Sequence, residues 1–279
     1  MTKLTLALAL LLTGSAVAQQ STPPTPAPAQ NPAAKTSSQD PSTAKARAML
    51  DKMITALGGQ AYLTYTTMTQ QGRSYSFYQG RPNSVGAPFW RFWKYPDKDR
   101  VELTKQRDVI YIYNGNHGYE VTYKGTATMD AKDLDNYLRG RHYGMENVIR
   151  VWLKDPATLI YYEGTALADQ NLVEQVTLVN KADEAVTIGI DPNTNLPLKK
   201  SYTYRDPFDG LKSTDDEIFA NYRPIQGIQT ALSIVRYHNG LQSAQRFLNK
   251  VEYNMPLPET MFDAKVTYDQ YKLQDKKKR

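Results

Sequence analysis

Residues 188–210 read IGIDPNTNLPLKKSYTYRDPFDG. The stretch opens on a short apolar run, Val186 to Ile190, and turns at Asp191-Pro192-Asn193-Thr194-Asn195. Pro fixes φ in such a turn, and Asp and Asn side chains bond their own backbone. From Leu196 to Arg205 the chain alternates. Leu198, Lys200, Tyr202 and Tyr204 share one side; Lys199, Ser201, Thr203 and Arg205 share the other. A period of two is a strand with one face toward an apolar interior. Asp206-Pro207-Phe208-Asp209-Gly210 turns the chain again. The stretch is a hairpin that buries tyrosines and holds no catalytic group, so it reads as part of a scaffold that encloses something.

The same rhythm continues on both sides. Downstream strands are expected at Thr214–Tyr222, Thr230–His238 and Ser243–Tyr253, and upstream ones at Thr158–Gly164 and Leu172–Val179. Nearer the N-terminus come Met68–Tyr78, Phe89–Tyr95, Val101–Lys105, Val109–Tyr113 and Tyr119–Tyr123. Pro96-Asp97 and Asn114-Gly115-Asn116 break this series, and Asn-Gly is a strong hairpin signal. Tight turns between strands dictate antiparallel pairing, because parallel pairing needs long crossovers. The count is about eleven or twelve strands. Helices are fewer. Ala46, Met49, Leu50, Met53, Ile54 and Leu57 recur at helical spacing over Ala44–Leu57, and Gly58-Gly59 ends that helix. A helical insert, Asp130–Arg139 with Asn147–Leu153, interrupts the strands and stops at Asp155-Pro156. Pro258–Phe262 reads as a last helical turn.

Composition narrows the class. The chain has 20 Tyr against 7 Phe and 3 Trp, a bias toward half-buried pleated surfaces. It has no Cys, which excludes disulfides, thiol catalysis, thiolate metal sites and thioether lipid anchors. Residues 1–18 read as a cleavable signal peptide: Lys3 is the basic end, Leu4–Leu12 the apolar core, and Ala16-Val17-Ala18 the cleavage site. Ser15 stands where a lipidated Cys would be in a lipoprotein signal, so an exported chain without a lipid anchor is expected. Residues 19–43 are a disordered Pro/Ala/Ser-rich linker by composition. The folded domain is expected over 44–265, followed by a charged tail, 266–279. The net charge of +6 includes Lys276-Lys277-Lys278-Arg279.

No reaction chemistry stands out. His117, His142 and His238 lack metal-ligand spacing, so no metal is expected. Asp206, Asp209, Asp215 and Asp216 do not follow a calcium-loop pattern and read as turn chemistry. Nucleotide, dinucleotide and serine-hydrolase motifs are missing. Trp90-Arg91-Phe92-Trp93-Lys94 mixes aromatics with cations, but in an exported chain strand packing is preferred to nucleic-acid binding. A membrane-spanning barrel is disfavoured because Asp215-Asp216-Glu217 and Arg246–Glu252 put charges into the strands.

The order of these features resembles the LolA-like family of outer-membrane lipoprotein-sorting proteins. The resemblance rests on the helix ending Leu57-Gly58-Gly59, the aromatic strand Phe89–Pro96, and Val109–Gly115 running to Gly118-Tyr119. It continues through the helical insert, the strand pair around Asp191-Pro192 and Leu196-Pro197, and the late Phe219-Ala220-Asn221-Tyr222 and Val251-Glu252-Tyr253-Asn254. It implies a mainly β (α+β) fold: a half-open antiparallel barrel covered by helices over a hydrophobic cavity. It further implies a periplasmic, monomeric carrier, not an enzyme, without cofactor, whose ligands are lipid or lipoprotein acyl chains and whose partners are membrane-bound donor and acceptor proteins. The alternative is an exported non-carrier protein or hydrolase on the same scaffold. Alternation gives Trp90, Phe92, Tyr111, Tyr113, Tyr202, Tyr204, Ile234 and Phe247 as expected cavity residues. Met49 and Met53 on the first helix and Leu134 and Trp152 on the insert are expected in a lid. A barrel arginine bonds the lid in the best-known carriers; Arg73, Arg91, Arg100 and Arg236 are the candidates here, with none singled out.

Overall fold

The alternating segments build a single sheet. The structure, a computed structural model, describes residues 41–269, so the expected signal peptide and nearly all of the expected linker lie outside the described residues. The described residues belong to one unit, Thr36–Arg279. The strands are β1 (Thr67–Tyr78), β2 (Arg81–Pro82), β3 (Ala87–Lys94), β4 (Lys98–Leu103), β5 (Val109–Asn114), β6 (His117–Thr122), β7 (Gly125–Thr128), β8 (Leu159–Ala168), β9 (Asn171–Val179), β10 (Ala185–Ile190), β11 (Pro197–Arg205), β12 (Lys212–Ile225), β13 (Ile228–His238) and β14 (Leu241–Tyr253). They pair in the order β7-β6-β5-β4-β3-β1-β14-β13-β12-β11-β10-β9-β8, with β2 on β1 off this path, as a 14-stranded sheet. Every pairing is antiparallel. The sheet is curved and unclosed, because β7 and β8 do not pair. The two strands beyond the expected eleven or twelve are β2 and β7, which are too short to display a period.

Connections between neighbours are tight, as the turn residues dictate. Asp191 accepts the Asn193 N–H at 2.8 Å in the hairpin between β10 and β11, and Asp206 accepts the Phe208 N–H at 2.8 Å in the next turn. The long-range closure is different. The first and last long strands, β1 and β14, pair at the middle of the sheet, and their register shifts between Gln71 and Gly72. A Cβ on Gly72 would lie 2.0 Å from the Phe247 carbonyl oxygen, so only glycine permits this approach of two backbones.

Among the described residues four α-helices accompany the sheet: α1 (Pro41–Leu57), α2 (Gln60–Thr64), α3 (Ala131–His142) and α4 (Met145–Arg150). The apolar stripe of α1 is buried at Ala46, Met49, Leu50, Met53 and Leu57. It packs on β8, β9 and β13 as part of the main core. Gly59, at φ 56°, donates its N–H to Ile54 O at 2.8 Å and so caps α1. A 3-10 turn at Glu259–Phe262 packs against β4 and β5 and buries Phe262. Beyond it, Thr267 donates its N–H to Thr126 O at 2.8 Å and its Oγ1 accepts the Thr126 N–H at 2.8 Å. Thr267 thus satisfies part of the free edge of β7.

The tyrosine bias has a structural reason. Tyrosine rings pack in the interior while their hydroxyls find partners: Tyr65 on Glu146 at 2.9 Å, Tyr202 on Asp215 at 3.1 Å, and Tyr222 on Pro197 O at 2.6 Å.

Candidate functional site: a cavity between sheet and insert

The segment holding α3 and α4 joins β7 to β8, the two edges of the sheet. A chain that links the two edges of a half-barrel crosses its open side. Between this insert and the concave face lies a cavity of about 750 Å³, a size typical of ligand pockets. The sheet contributes Met68, Trp93, Val101, Tyr111, Phe219 and Ile234; the helices contribute Leu57, Tyr62, Leu138 and Met145.

The two parts of the insert are held differently. Arg150 of α4 is buried and donates to Tyr65 O at 2.8 Å and Tyr62 O at 2.6 Å, carbonyls at the end of α2. Its guanidinium also lies 4.2 Å from the Tyr65 ring centroid. Helix α3 starts on Asp130, which accepts the Lys132 N–H at 2.8 Å, and it buries no residue fully. Its side chains hold it to the sheet and its turns. The Tyr137 ring stacks on Tyr113 of β5 with centroids 3.4 Å apart, and its hydroxyl donates to Asp99 Oδ2 at 3.2 Å. Burial and the Asp99 charge push the Tyr137 phenol up, so it remains a donor at neutral pH. Arg141 donates to Gly115 O at 2.6 Å and to Asn116 Oδ1 at 2.9 Å.

Charged residues cross the concave face. Lys200, Glu217 and Arg236 are cross-strand partners on β11, β12 and β13. Lys200 Nζ is 2.7 Å from Glu217 Oε2, and Arg236 Nη2 is 2.8 Å from Oε1. Burial alone would push Glu217 up, but the two cations outweigh it and hold the carboxyl at about 2. Further along, Arg91 on β3 grips Asp99 on β4 with Nε and Nη2, the latter at 2.8 Å. Arg246 on β14 lies between these two groups and also lines the cavity. The interior is therefore amphipathic, with a charged row beside an apolar and aromatic surface.

No protein-family model and no curated protein matches the chain in sequence. Solved structures match it in fold. A LolA superfamily protein from Nitrosomonas europaea aligns with a TM-score of 0.47 at 11% identity, over 78% of this chain and 97% of that one. A DUF1329 family protein from Desulfovibrio piger aligns with a TM-score of 0.54 at 12% identity, over 78% and 97%. An outer membrane lipoprotein-sorting protein domain from Vibrio parahaemolyticus aligns with a TM-score of 0.50 at 10% identity, over 79% and 97%. The fold is LolA-like. Identities this low carry the fold and nothing finer.

In the LolA-like sheet, Tyr111, Tyr113 and Ile234 line the cavity. Tyr202 is buried beside it, stacked on Tyr143 with centroids 4.2 Å apart. Tyr204 lies in a separate pocket between α3 and β11, under the Arg139 guanidinium at 3.9 Å. Trp90, Phe92 and Phe247 face away, since their neighbours Arg91, Trp93 and Arg246 hold the lining positions. A run such as Phe89–Tyr95 has aromatics on both parities, so alternation gives it no phase. On the outer face Arg107 lies 5.0 Å from the Trp90 ring and 5.7 Å from Phe92, and Phe247 is 41% exposed.

The expected lid residues separate in the same way. Met49 and Met53 belong to the core under α1. Their helical stripe is the same whether a helix is fixed or movable, so the sequence could not tell the two apart. Leu134 packs near Gly118 and Met129 on β6 and the segment after β7. Trp152 is buried in a cluster with His142 and Tyr143, at 5.2 and 5.8 Å. Of the four candidate arginines, Arg91 and Arg236 line the cavity, Arg73 donates to Gly86 O at 3.0 Å, and Arg100 pairs with Glu102 at 2.6 Å. The insert's own side chains fasten it instead: Tyr137, Arg141 and His142 on α3 and Arg150 on α4. His142 and His238 pair with Glu184 and Asp215, and among the described residues no group of three His, Asp or Glu is placed to hold a metal. The charged row went unread because charge in a strand reads as a solvent face. One signal was available: Lys200 shares its parity with Tyr202 and Tyr204.

Proposed function

We propose that this chain is an exported, periplasmic carrier that holds acyl chains of a lipid or lipoprotein in the cavity under the insert. The observation that carries this reading is a cavity of about 750 Å³ partly covered by a helix that is fastened through Tyr137 and Arg141 and buries no residue fully. A sheet with one apolar face must cover that face. Where the cover is incomplete and loosely held, an acyl chain completes it, gaining about 0.8 kcal/mol per buried methylene. The likeness in fold to the lipoprotein-sorting protein domain from Vibrio agrees with this reading. No helix among the described residues is long and apolar enough to cross a membrane. The reading includes cleavage after Ala18, no lipid anchor, a Pro/Ala/Ser-rich linker at 19–43, a monomeric carrier without cofactor or catalysis, and membrane-bound donor and acceptor partners.

The test fills the cavity. Ile234→Trp adds bulk on the lining, whereas Phe247→Ala removes bulk from the outer face. Equilibrium binding of a fluorescent long-chain fatty acid is expected to weaken about tenfold in I234W, roughly the loss of two buried methylenes, and to stay within about twofold in F247A. Equal effects of the two substitutions would place the ligand elsewhere.

A further inference from the structure

We infer that Arg246 anchors the anionic headgroup, carboxylate or phosphate, of an amphiphile whose chain lies in the apolar part of the cavity; this rests on the acyl-binding reading above. The other cations of the charged row are already engaged. Arg91 is held by Asp99, Lys200 and Arg236 share Glu217, and Arg141 is spent on the β5–β6 turn. Arg246 is different. Among the described residues no carboxylate lies within ion-pair distance of it; its closest described partner is the Phe89 ring, 5.5 Å from the guanidinium carbon. Its position is inside, not on the surface: it lines the cavity, opposite Ser74 on β1 and Ile234 on β13.

The surroundings make that charge costly in the empty protein. Burial and the nearby Arg236 and Arg91 push the Arg246 guanidinium down from its ordinary value. A guanidinium nevertheless stays protonated at neutral pH, so the excess charge persists. An anion delivered by a ligand removes the excess, and the planar fork of N–H donors matches the two oxygens of a carboxylate or phosphate. Ile234, the cross-strand partner of Arg246, then Phe219, the partner of Ile234 on the next strand, and Trp93 give the chain an apolar path beginning at the headgroup.

The experiment compares hexadecanoic acid, its methyl ester and inorganic phosphate on the full protein and on R246M and R246K. The acid is expected to bind the natural chain about tenfold or more tightly than the ester, the effect of one charge-assisted hydrogen-bonded pair. R246M should reduce that preference to about threefold or less, and R246K, which keeps the charge but not the fork, should fall between. The acid-to-ester ratio on the natural chain needs no variant, so it stands even if R246M fails to fold. Equal binding of acid and ester would overturn the headgroup site and leave the acyl cavity intact. Binding of neither would overturn both. Inorganic phosphate displacing the acid at matching concentration would show a site for free anions and end the assignment to an amphiphile.

Discussion

Glu217 is a single carboxylate between two cations, and it couples the interior to pH. Its folded value of about 2 lies below the ordinary 4.5, so its contribution is fully present above about pH 4.5 and is lost as pH falls toward 2. Removing the charge also strands Lys200, which is 2% exposed. Glu217→Gln is therefore expected to cost about 3 kcal/mol at neutral pH, the scale for breaking one side of a buried pair. Urea unfolding at several pH values checks both parts: the natural chain should lose stability between pH 4.5 and 2, and E217Q should lose distinctly less over that window. A parallel pH dependence in both would mean that the pair is screened by cavity water. At this scale the sequence was half legible. Tyr111, Tyr113 and Ile234 do line the cavity, although β5 is apolar on both parities, whereas Trp90 and Phe92, in a run that is aromatic on both faces, point away from it. Glu217 and Arg246 escaped because alternation sorts charge to the outside, and a wet concave face breaks that rule.

At the scale of elements, the helices divide by how deeply they are buried. Helix α1 buries five side chains in the core, whereas α3 buries none and depends on Tyr137, Arg141 and the rim. Elements that move come from the low-stability end of a structure. Hydrogen exchange should therefore be faster in α3 than in α1, β9 or β13, with α1 as slow as the sheet. Bound fatty acid should slow α3, since a ligand favours the state whose contacts it completes, and Tyr137→Ala should speed it in the free protein. Uniform protection of α3 and α1, unchanged by fatty acid, would make the insert a fixed cover. The long elements were legible, because a helical stripe or an alternating run of eight or more residues imposes its period. Helix α2 and strands β2 and β7 were not, being of five, two and four residues. That α1 is core and α3 is the cover also lay beyond the sequence, since both show one apolar side, and only the partners of that side distinguish them.

For the whole molecule, topology decides what the insert can do. Pairing β1 with β14 puts the long strands at the centre and leaves β7 and β8 as separated edges, so the insert between them in the chain must span the opening. Antiparallel pairing was legible from the turns, but the β1–β14 closure depends on a backbone approach at Gly72 that no periodicity announces. The central claim is that the space under the insert is built for an acyl chain. Its most direct measurement is organic extraction and mass spectrometry of the protein purified, without detergent, from the cells in which it naturally occurs. The account predicts acyl lipid at close to one chain-bearing molecule per protein, lost in I234W. A lipid-free extract from folded natural protein that also fails to take up added lipid would contradict it.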